Sequence, residues 1–499
     1  MKSFRIIPLA LLISQLVFAQ FQNESKILDQ TIQNGMKDWK IPGLAAVVVK
    51  DGQVVFKKTY GVKSIETNTP VDENTLFAMA STTKATIAMA MGMLVDEGKM
   101  KWDDKVIDHL PDFQLIDPYI TADARVKDLL THNLGIANAD MLWAIDSMST
   151  SETLRRFSKT EKTYPLRGGF TYQNIMYAAA GELIASITGA PWNKFVQNRL
   201  FNPLGMNRSQ TRAIDIYSAG NHVVPHYNFD EDGVQIVAIN HSDQIGAAGM
   251  MWSSINDMSK YLKFLLAKGK TANDTLIQPN TFKELFKPQT LIPKNQFYPT
   301  AQLTKPNWTS YGLGWFQHDY RGEKLDFHTG SLQGLVAIAG VMHDKDVAVY
   351  VFANMDHAEL RHAIMYQAMD LYAFEDTSTQ WHRKIFEFYK KLETEGNEFQ
   401  KTQEEKRIKG TKPSLELSSY VGEYTHPMCG KLTISIKDGG LDLNFNDFEK
   451  INAAHWHYDT FRTKTNKSWV SPILLTFKLD GSAQVETAEF IGYTFQKIN

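Results

Sequence analysis

Cysteine is almost absent from this chain of 499 residues: Cys429 stands alone. An intrachain disulfide framework and any multi-cysteine zinc or iron–sulfur site are therefore excluded. A surplus of charge of one sign is lacking as well, since 53 lysines and arginines face 55 aspartates and glutamates, for a formal net charge of −2. Such a balance supplies no electrostatic reason for a nucleic-acid or anionic-membrane partner. Beyond the first residues, no run reaches the roughly 20 apolar residues that a membrane-spanning helix needs. Internal repeats and low-complexity tracts are missing, and so are several catalytic signatures. There is no G-x-S-x-G and no H-E-x-x-H, and Gly269-Lys270-Thr271 lacks the upstream glycine of a phosphate-binding loop. What the chain has in quantity is core material. Hydrophobic residues make up 43% and charged residues 22%, a mix able to fill a large interior. The length accommodates two or three domains of about 100–200 residues each.

The N-terminus reads as an export signal. Lys2 and Arg5 precede an apolar run from Ile6 to Phe18, which closes on Val17-Phe18-Ala19, with small residues, Val17 and Ala19, at the positions a signal peptidase reads. No cysteine follows to carry a lipid anchor. The expectation is a cleaved signal over residues 1–19 and a mature protein without an integral membrane segment, periplasmic or secreted.

Further along, Leu44 to Lys50 and Gln53 to Tyr60 are β-rich runs joined by Asp51-Gly52, a two-residue hairpin turn. Ser81 to Glu97 is helical in pattern and apolar on nearly every face, which marks a buried helix. A second helix is predicted from Asn174 to Thr188, with Gly189 past its end, and a third from the capping pair Ser254 and Asp257 to near Gly269. Strand-like runs return at Leu335 to Met342 and Val347 to Ala353. Strands, a block of helices, then strands again predict a mixed α/β domain whose sheet joins both ends of the segment. After about Asp376 the character changes. Trp381 to Lys412 is charged and helix-prone, and beyond it Leu432, Ile434, Ile436, then Leu441, Leu443, Phe445, alternate with polar residues, as short strands of a small barrel or sandwich do. The expected domains are 20–376, a connector at 377–413, and a β domain at 414–499.

Chemistry concentrates at Ser81-Thr82-Thr83-Lys84. Residues three apart share a helix face, so Lys84 projects beside Ser81. A lysine on an apolar helix loses affinity for its proton, which suits it to take one from a serine. On this motif alone, a serine cap followed by a snorkelling lysine explains the same residues. Two more motifs follow: Tyr172-Gln173-Asn174 at the mouth of the second helix, and His328-Thr329-Gly330-Ser331 before the strand at Leu335. In this order, S-x-x-K, Y-x-N and H-x-G resemble the serine β-lactamase and penicillin-binding-protein superfamily, in its class C and D-aminopeptidase/esterase branch. Ile41-Pro42-Gly43, Thr75-Leu76-Phe77, Asp128-Leu129-Leu130-Thr131-His132-Asn133 and Tyr311-Gly312-Leu313-Gly314-Trp315 agree, so the resemblance spans about residues 30 to 370.

The resemblance implies an antiparallel sheet flanked by helices, with a helical subdomain, and an acyl-enzyme hydrolase of amides or esters that needs no cofactor or metal. Ser81 would be the nucleophile, and Lys84 and Tyr172 would share general-base and general-acid duty. Asn174 would orient the substrate amide or the lysine. The N–H groups of Ser81 and Ser331 would form the oxyanion hole, with Gly330 and the following strand lining an extended substrate. Class C β-lactamases carry K-T-G where this chain has His328, so an obligate carboxylate on the substrate is disfavoured. The substrate is then a small molecule or short peptide, with D-residue peptides or small esters favoured. The alternatives are a DD-carboxypeptidase or β-lactamase, and a sensor that acylates without turnover. Oligomers are compatible with the resemblance.

Smaller signals carry smaller expectations. His132 is read as holding the turn before Gly135, and Gly246 to Gly249 as either lining the cleft or entering a helix. His455 and His457 are read as structural for want of a third ligand. Cys429, in a glycine-flanked turn three residues after His426, is not read as a nucleophile. The stretch around Trp456 resembles a lipocalin-like β domain appended to this branch, which would shape substrate access or assembly.

Overall fold

The computed structural model describes residues 21–144, 148–229, 232–447, 449–464 and 472–498. The expected signal, residues 1–19, lies outside them. Two compact units emerge. The first takes the described chain up to Phe113, then Tyr119–Ile136 and Thr163–Tyr389; the second takes Gln114–Pro118, Ala137–Lys162 and the chain from Lys390.

In the first unit, β1 (Gly43–Lys50) and β2 (Gln53–Gly61) form a hairpin. Its turn, Asp51-Gly52, has φ angles of 49° and 70°, the two left-handed positions that a tight hairpin matching the strand twist requires. The remaining strands come from far along the chain: β3 (Thr290–Leu291), β4 (Thr309–Tyr311), β5 (Phe316–Tyr320), β6 (Glu323–Leu332), β7 (Leu335–Met342) and β8 (Val347–Ala353). They join one antiparallel sheet in the order β2-β1-β8-β7-β6-β5-β4-β3, with Val47 opposite Tyr350 where β1 meets β8. β7 and β8 are buried at every residue, so both their faces need cover. Helix α1 (Gln22–Asp38) packs on α5 (Leu360–Ala373), which packs on β7 and β8, while α4 (Ile255–Leu266) packs on β1 and β8. Ser254 caps α4 by accepting from the Asp257 N–H at 3.2 Å, as the sequence predicts.

Two helices carry the site. In α2 (Thr83–Asp96), every residue from Thr83 to Leu94 is buried. Helix α3 (Asn174–Thr188) is buried from Asn174 to Gly181 and stops at Gly189, whose φ of 69° forms a left-handed cap. Past α5, helix α6 (Trp381–Glu405) occupies the charged stretch predicted to be helical, and its buried residues are Trp381 and Ile385. The Trp381 indole donates to Asp370 at 2.7 Å, where Tyr320 also donates at 2.7 Å, so the start of α6 is tied to α5 and β5.

The second unit is built on a closed barrel of β9 (Gly422–His426), β10 (Gly430–Lys437), β11 (Gly440–Phe445), β12 (Glu449–His457), β13 (Thr460–Lys464), β14 (Leu474–Leu479), β15 (Val485–Phe490) and β16 (Tyr493–Ile498). Its interior is filled by side chains: Tyr420, Tyr424, Phe461 and Phe477 are buried, with the Tyr420 and Phe477 rings 4.8 Å apart. Residues Ala137–Lys162 belong to this unit. Met141 Sδ lies 3.5 Å from Cys429 Sγ, and Thr160 Oγ1 lies 3.0 Å from Met428 Sδ. No helix among the described residues is long and apolar enough to cross a membrane.

Candidate active site

The α-helix does not begin at Ser81. Ala80–Thr82 form a tighter 3₁₀ turn that feeds α2 at Thr83, and the half-buried Ser81 sits in that turn. Ala80 holds a φ of 47°, a left-handed conformation that is costly for a residue with a Cβ and is sustained only by its surroundings. Those surroundings are close. Thr82 Oγ1 donates to Met79 O at 2.7 Å and lies 2.5 Å from the Tyr350 hydroxyl on β8. On β6, a Cβ at Gly330 would stand 2.6 Å from Ser81 N and 2.7 Å from both Ala80 Cβ and Met79 O. A Cβ at Gly314, where φ is 84°, would stand 2.9 Å from Lys84 O. Glycine at these two positions lets strand and loop close on the serine turn from two sides.

Lys84 is completely buried. Its Nζ lies 3.0 Å from Ser81 Oγ, 2.7 Å from Asn174 Oδ1 and 2.8 Å from Ala248 O. Two of these partners are carbonyl oxygens, which only accept. As an ammonium, Lys84 donates to all three oxygens; once neutral, with its hydrogens on the two carbonyl oxygens, it can accept the Ser81 proton. The rings of Tyr172 and Tyr177 stand 4.9 Å and 5.3 Å from the same nitrogen.

Tyr172 and Asn174 reach Lys84 because Gln173, extended at φ −131°, precedes the first turn of α3. His132 secures that approach. Its carbonyl accepts from Thr171 N at 2.8 Å, and its Nδ1 accepts from Gln173 N at 3.0 Å, so the ring proton sits on Nε2. The buried ring lies 4.3 Å from that of Tyr172 and 4.6 Å from that of Tyr311. Burial first, then the charge of Lys84, holds the His132 pKa well below its ordinary value. The residue read from sequence as a turn former thus also backs the Tyr172 ring.

His328 is fully buried on β6. Its Nδ1 donates to Thr329 O at 2.8 Å and its Nε2 accepts from the Tyr311 hydroxyl at 2.9 Å. Burial, followed by the charge on Lys84, pushes its pKa down to about 3, so it presents no cation at neutral pH. Ser331, exposed one residue beyond Gly330, is 2.8 Å from an Arg361 nitrogen. Ser81, Lys84, Asn174, the Tyr172 ring and Gly330 are thus brought together at the serine turn, with Ser331 next in the chain to Gly330 and the His328 ring 6.3 Å from that of Tyr172. Ala248, whose contribution is a backbone carbonyl, lies in the Gly246–Gly249 stretch read from sequence as lining the cleft or entering a helix, and the stretch does both; the motifs do not reveal Arg361. One signal points to Arg361: it stands beside Leu360, Ala363, Ile364 and Met365 at the start of a helix rich in apolar residues. The His455–His457 pair is interrupted by a bulge in β12, and among the described residues no three His, Cys, Asp or Glu side chains are grouped to hold a metal.

The neutral histidines give the fold an acid-sensitive stability. His318, also fully buried, is lowered to about 4 by burial. In the unfolded chain such rings take up a proton below about pH 6.5, whereas in the fold they resist it down to about 3 and 4. Stability is thus intact above pH 6.5 and lost as the pH falls, by about 2 kcal/mol for each ring at pH 5. Thermal unfolding is expected to show a lower melting temperature at pH 5 than at pH 7. Equal values would contradict the buried, proton-free state of these rings.

Fold and site together define a protein of the β-lactamase and penicillin-binding-protein type. The family model described as "Beta-lactamase" matches residues 28–374, and the chain belongs to that family. Residues 406–499 match a second model, "Domain of unknown function (DUF3471)". Among similar proteins, "Unguisins hydrolase ungD'" of Aspergillus campestris is 26% identical over 433 residues, covering 83% of this chain and 77% of the relative. "Protein flp" of Staphylococcus aureus is 23% identical over 334 residues, covering 66% of this chain and 63% of the relative. In fold, the chain is similar to the octameric penicillin-binding protein homologue from Pyrococcus abyssi, with a TM-score of 0.62 at 22% identity over 94% of this chain and 99% of that one.

Proposed function

We propose that the protein is a serine hydrolase that cleaves an amide or ester through a covalent acyl-enzyme on Ser81. The observation that carries this reading is Lys84, buried and 3.0 Å from Ser81 Oγ, with Asn174 and Ala248 accepting its hydrogens. Lys84 takes the hydroxyl proton as Ser81 Oγ bonds to the substrate carbonyl carbon. The carbonyl oxygen gathers negative charge beside the Ser81 and Ser331 N–H groups, an arrangement worth roughly 2.7–4 kcal/mol per donor in a comparable hydrolase. The proton passes by way of Lys84 and Tyr172 to the leaving amine or alcohol as its bond to carbon breaks. Water then attacks the acyl carbon by the reverse route, releasing the acid and restoring Ser81.

His328, neutral and committed to Tyr311, offers no cation for a substrate carboxylate. This favours D-residue peptides or small esters over lactams and carboxypeptidase substrates. A relative named as a hydrolase supports bond cleavage over silent acyl binding. Export through residues 1–19 would place this activity outside the cytoplasm, with residues 20–376 carrying it and residues 414–499 shaping access or assembly. Incubation with a fluorophosphonate, followed by mass spectrometry, is expected to find one adduct, on the peptide that contains Ser81. Turnover of a p-nitrophenyl ester or D-alanine p-nitroanilide is expected to exceed that of a chromogenic cephalosporin. An adduct elsewhere would move the nucleophile, and dominant cephalosporin cleavage would replace this reading with the lactamase one.

A further inference from the structure

Helix α5 is buried at every position from Leu360 to Tyr372, and Arg361, only 5% exposed, is part of it. A guanidinium in such a place loses several kcal/mol of hydration unless its hydrogen bonds are replaced. On one side it is paired: Arg361 Nη2 donates to Glu359 Oε1 at 3.0 Å, and His362 Nδ1 lies 2.6 Å from Glu359 Oε2. Burial would raise the Glu359 carboxyl, but the charges of Arg361 and His362 outweigh it and hold the group below the usual carboxylate range. On the other side, Arg361 Nη1 donates to Gly330 O at 2.5 Å and to Ser331 Oγ at 2.8 Å.

The Gly330 carbonyl and the Ser331 N–H belong to one planar peptide group and point in opposite directions. Leu332 faces Leu335 across the two-residue turn Gln333-Gly334. The antiparallel alternation that follows sends the Gly330 carbonyl toward β7 and the Ser331 N–H away from it. That outer edge is open, because β6 pairs with β5 only from Glu323 to Phe327. Ser81 N lies against the sheet face at Gly330, 2.6 Å from where a Cβ would stand. The close approach demands glycine at 330, whose own backbone constrains this peptide least, so its orientation rests on what its carbonyl meets: the β7 ladder at Ala337 and Arg361.

We propose that Arg361 acts as a positioning residue: by gripping the Gly330 carbonyl from behind, it fixes and polarises the peptide whose N–H serves as the oxyanion donor. The inference rests on the hydrolase reading above. A charge-assisted bond to the carbonyl oxygen orients the peptide plane and strengthens its N–H as a donor. Because a guanidinium only donates, it also turns the Ser331 hydroxyl hydrogen away from itself.

The test compares Arg361→Lys, Arg361→Met and the double variant Glu359→Gln/Arg361→Met, which leaves no unpaired carboxylate in the interior. Each is assayed with the best ester of the panel and with an aryl boronic acid, whose tetrahedral adduct on Ser81 places a hydroxyl where the oxyanion forms. The double variant is expected to lose kcat by about 10- to 100-fold, somewhat less than deletion of an oxyanion donor, with KM little changed. Boronate affinity should fall by the same factor, and Arg361→Lys should recover part of both. A folded double variant with wild-type kcat and boronate affinity would overturn the positioning role while leaving the hydrolase reading intact, as would a loss confined to KM. Absence of Ser81-dependent turnover in the unmodified protein would overturn both.

Discussion

Ser81→Ala is expected to abolish the fluorophosphonate adduct and to reduce kcat by as much as about 10⁶-fold, the scale seen when a serine hydrolase loses its nucleophile. Two of the oxygens that Lys84 Nζ meets, Asn174 Oδ1 and Ala248 O, are carbonyl oxygens and cannot act as the nucleophile in place of the lost hydroxyl. The fold should not suffer. The serine turn is held by Thr82, through Met79 O and the Tyr350 hydroxyl, and by the close approach of Gly330, none of which involves the Ser81 side chain. Small surface or half-buried changes of this kind shift stability by about 0.5 kcal/mol or less. A melting temperature matching the unmodified protein, beside a missing adduct, is the expected pair of results. Residual turnover with an adduct on another residue would relocate the chemistry.

The site was most legible where its chemistry is carried by side chains at fixed helical spacing. Ser81 and Lys84, three residues apart, must share a helix face, and their side chains meet at 3.0 Å. The hairpin at Asp51-Gly52 was legible for a similar reason, since few dipeptides accept two positive φ angles in succession. Hydrophobic alternation identified the barrel strands, although Ile436, inside by its period, is 48% exposed at the end of β10. Legibility failed where the functional group is backbone. The Ala248 carbonyl bears on Lys84, yet any residue supplies a carbonyl. The stretch His328 to Ser331 is strand, but its glycine and polar residues hide the period that an edge beside a cleft does not need. Long-range grouping is equally hidden: nothing local in Ala137–Lys162 shows that it packs with Met428 and Cys429, almost three hundred residues later.

Lys84→Met separates the base from the helix that carries it. Methionine is one atom shorter but keeps an unbranched apolar stem, so the interior of α2, buried from Thr83 to Leu94, retains its shape. Two things are lost. Asn174 Oδ1 and Ala248 O give up the nitrogen that donates to them at 2.7 Å and 2.8 Å, a buried deficit of about 1–3 kcal/mol. Ser81 loses its proton acceptor, which for a positioned base is worth about 10²–10⁴ in rate. The expected outcome is a folded protein, slightly less stable, whose kcat falls within that range and rises again toward alkaline pH as hydroxide ionises Ser81 without help. Fluorophosphonate labelling should slow by a comparable factor yet still reach Ser81, because the nucleophile remains in place. Equal labelling rates in the two proteins would show that Ser81 is activated from elsewhere in the site, with Tyr172, whose ring stands 4.9 Å from Lys84 Nζ, the next group to replace.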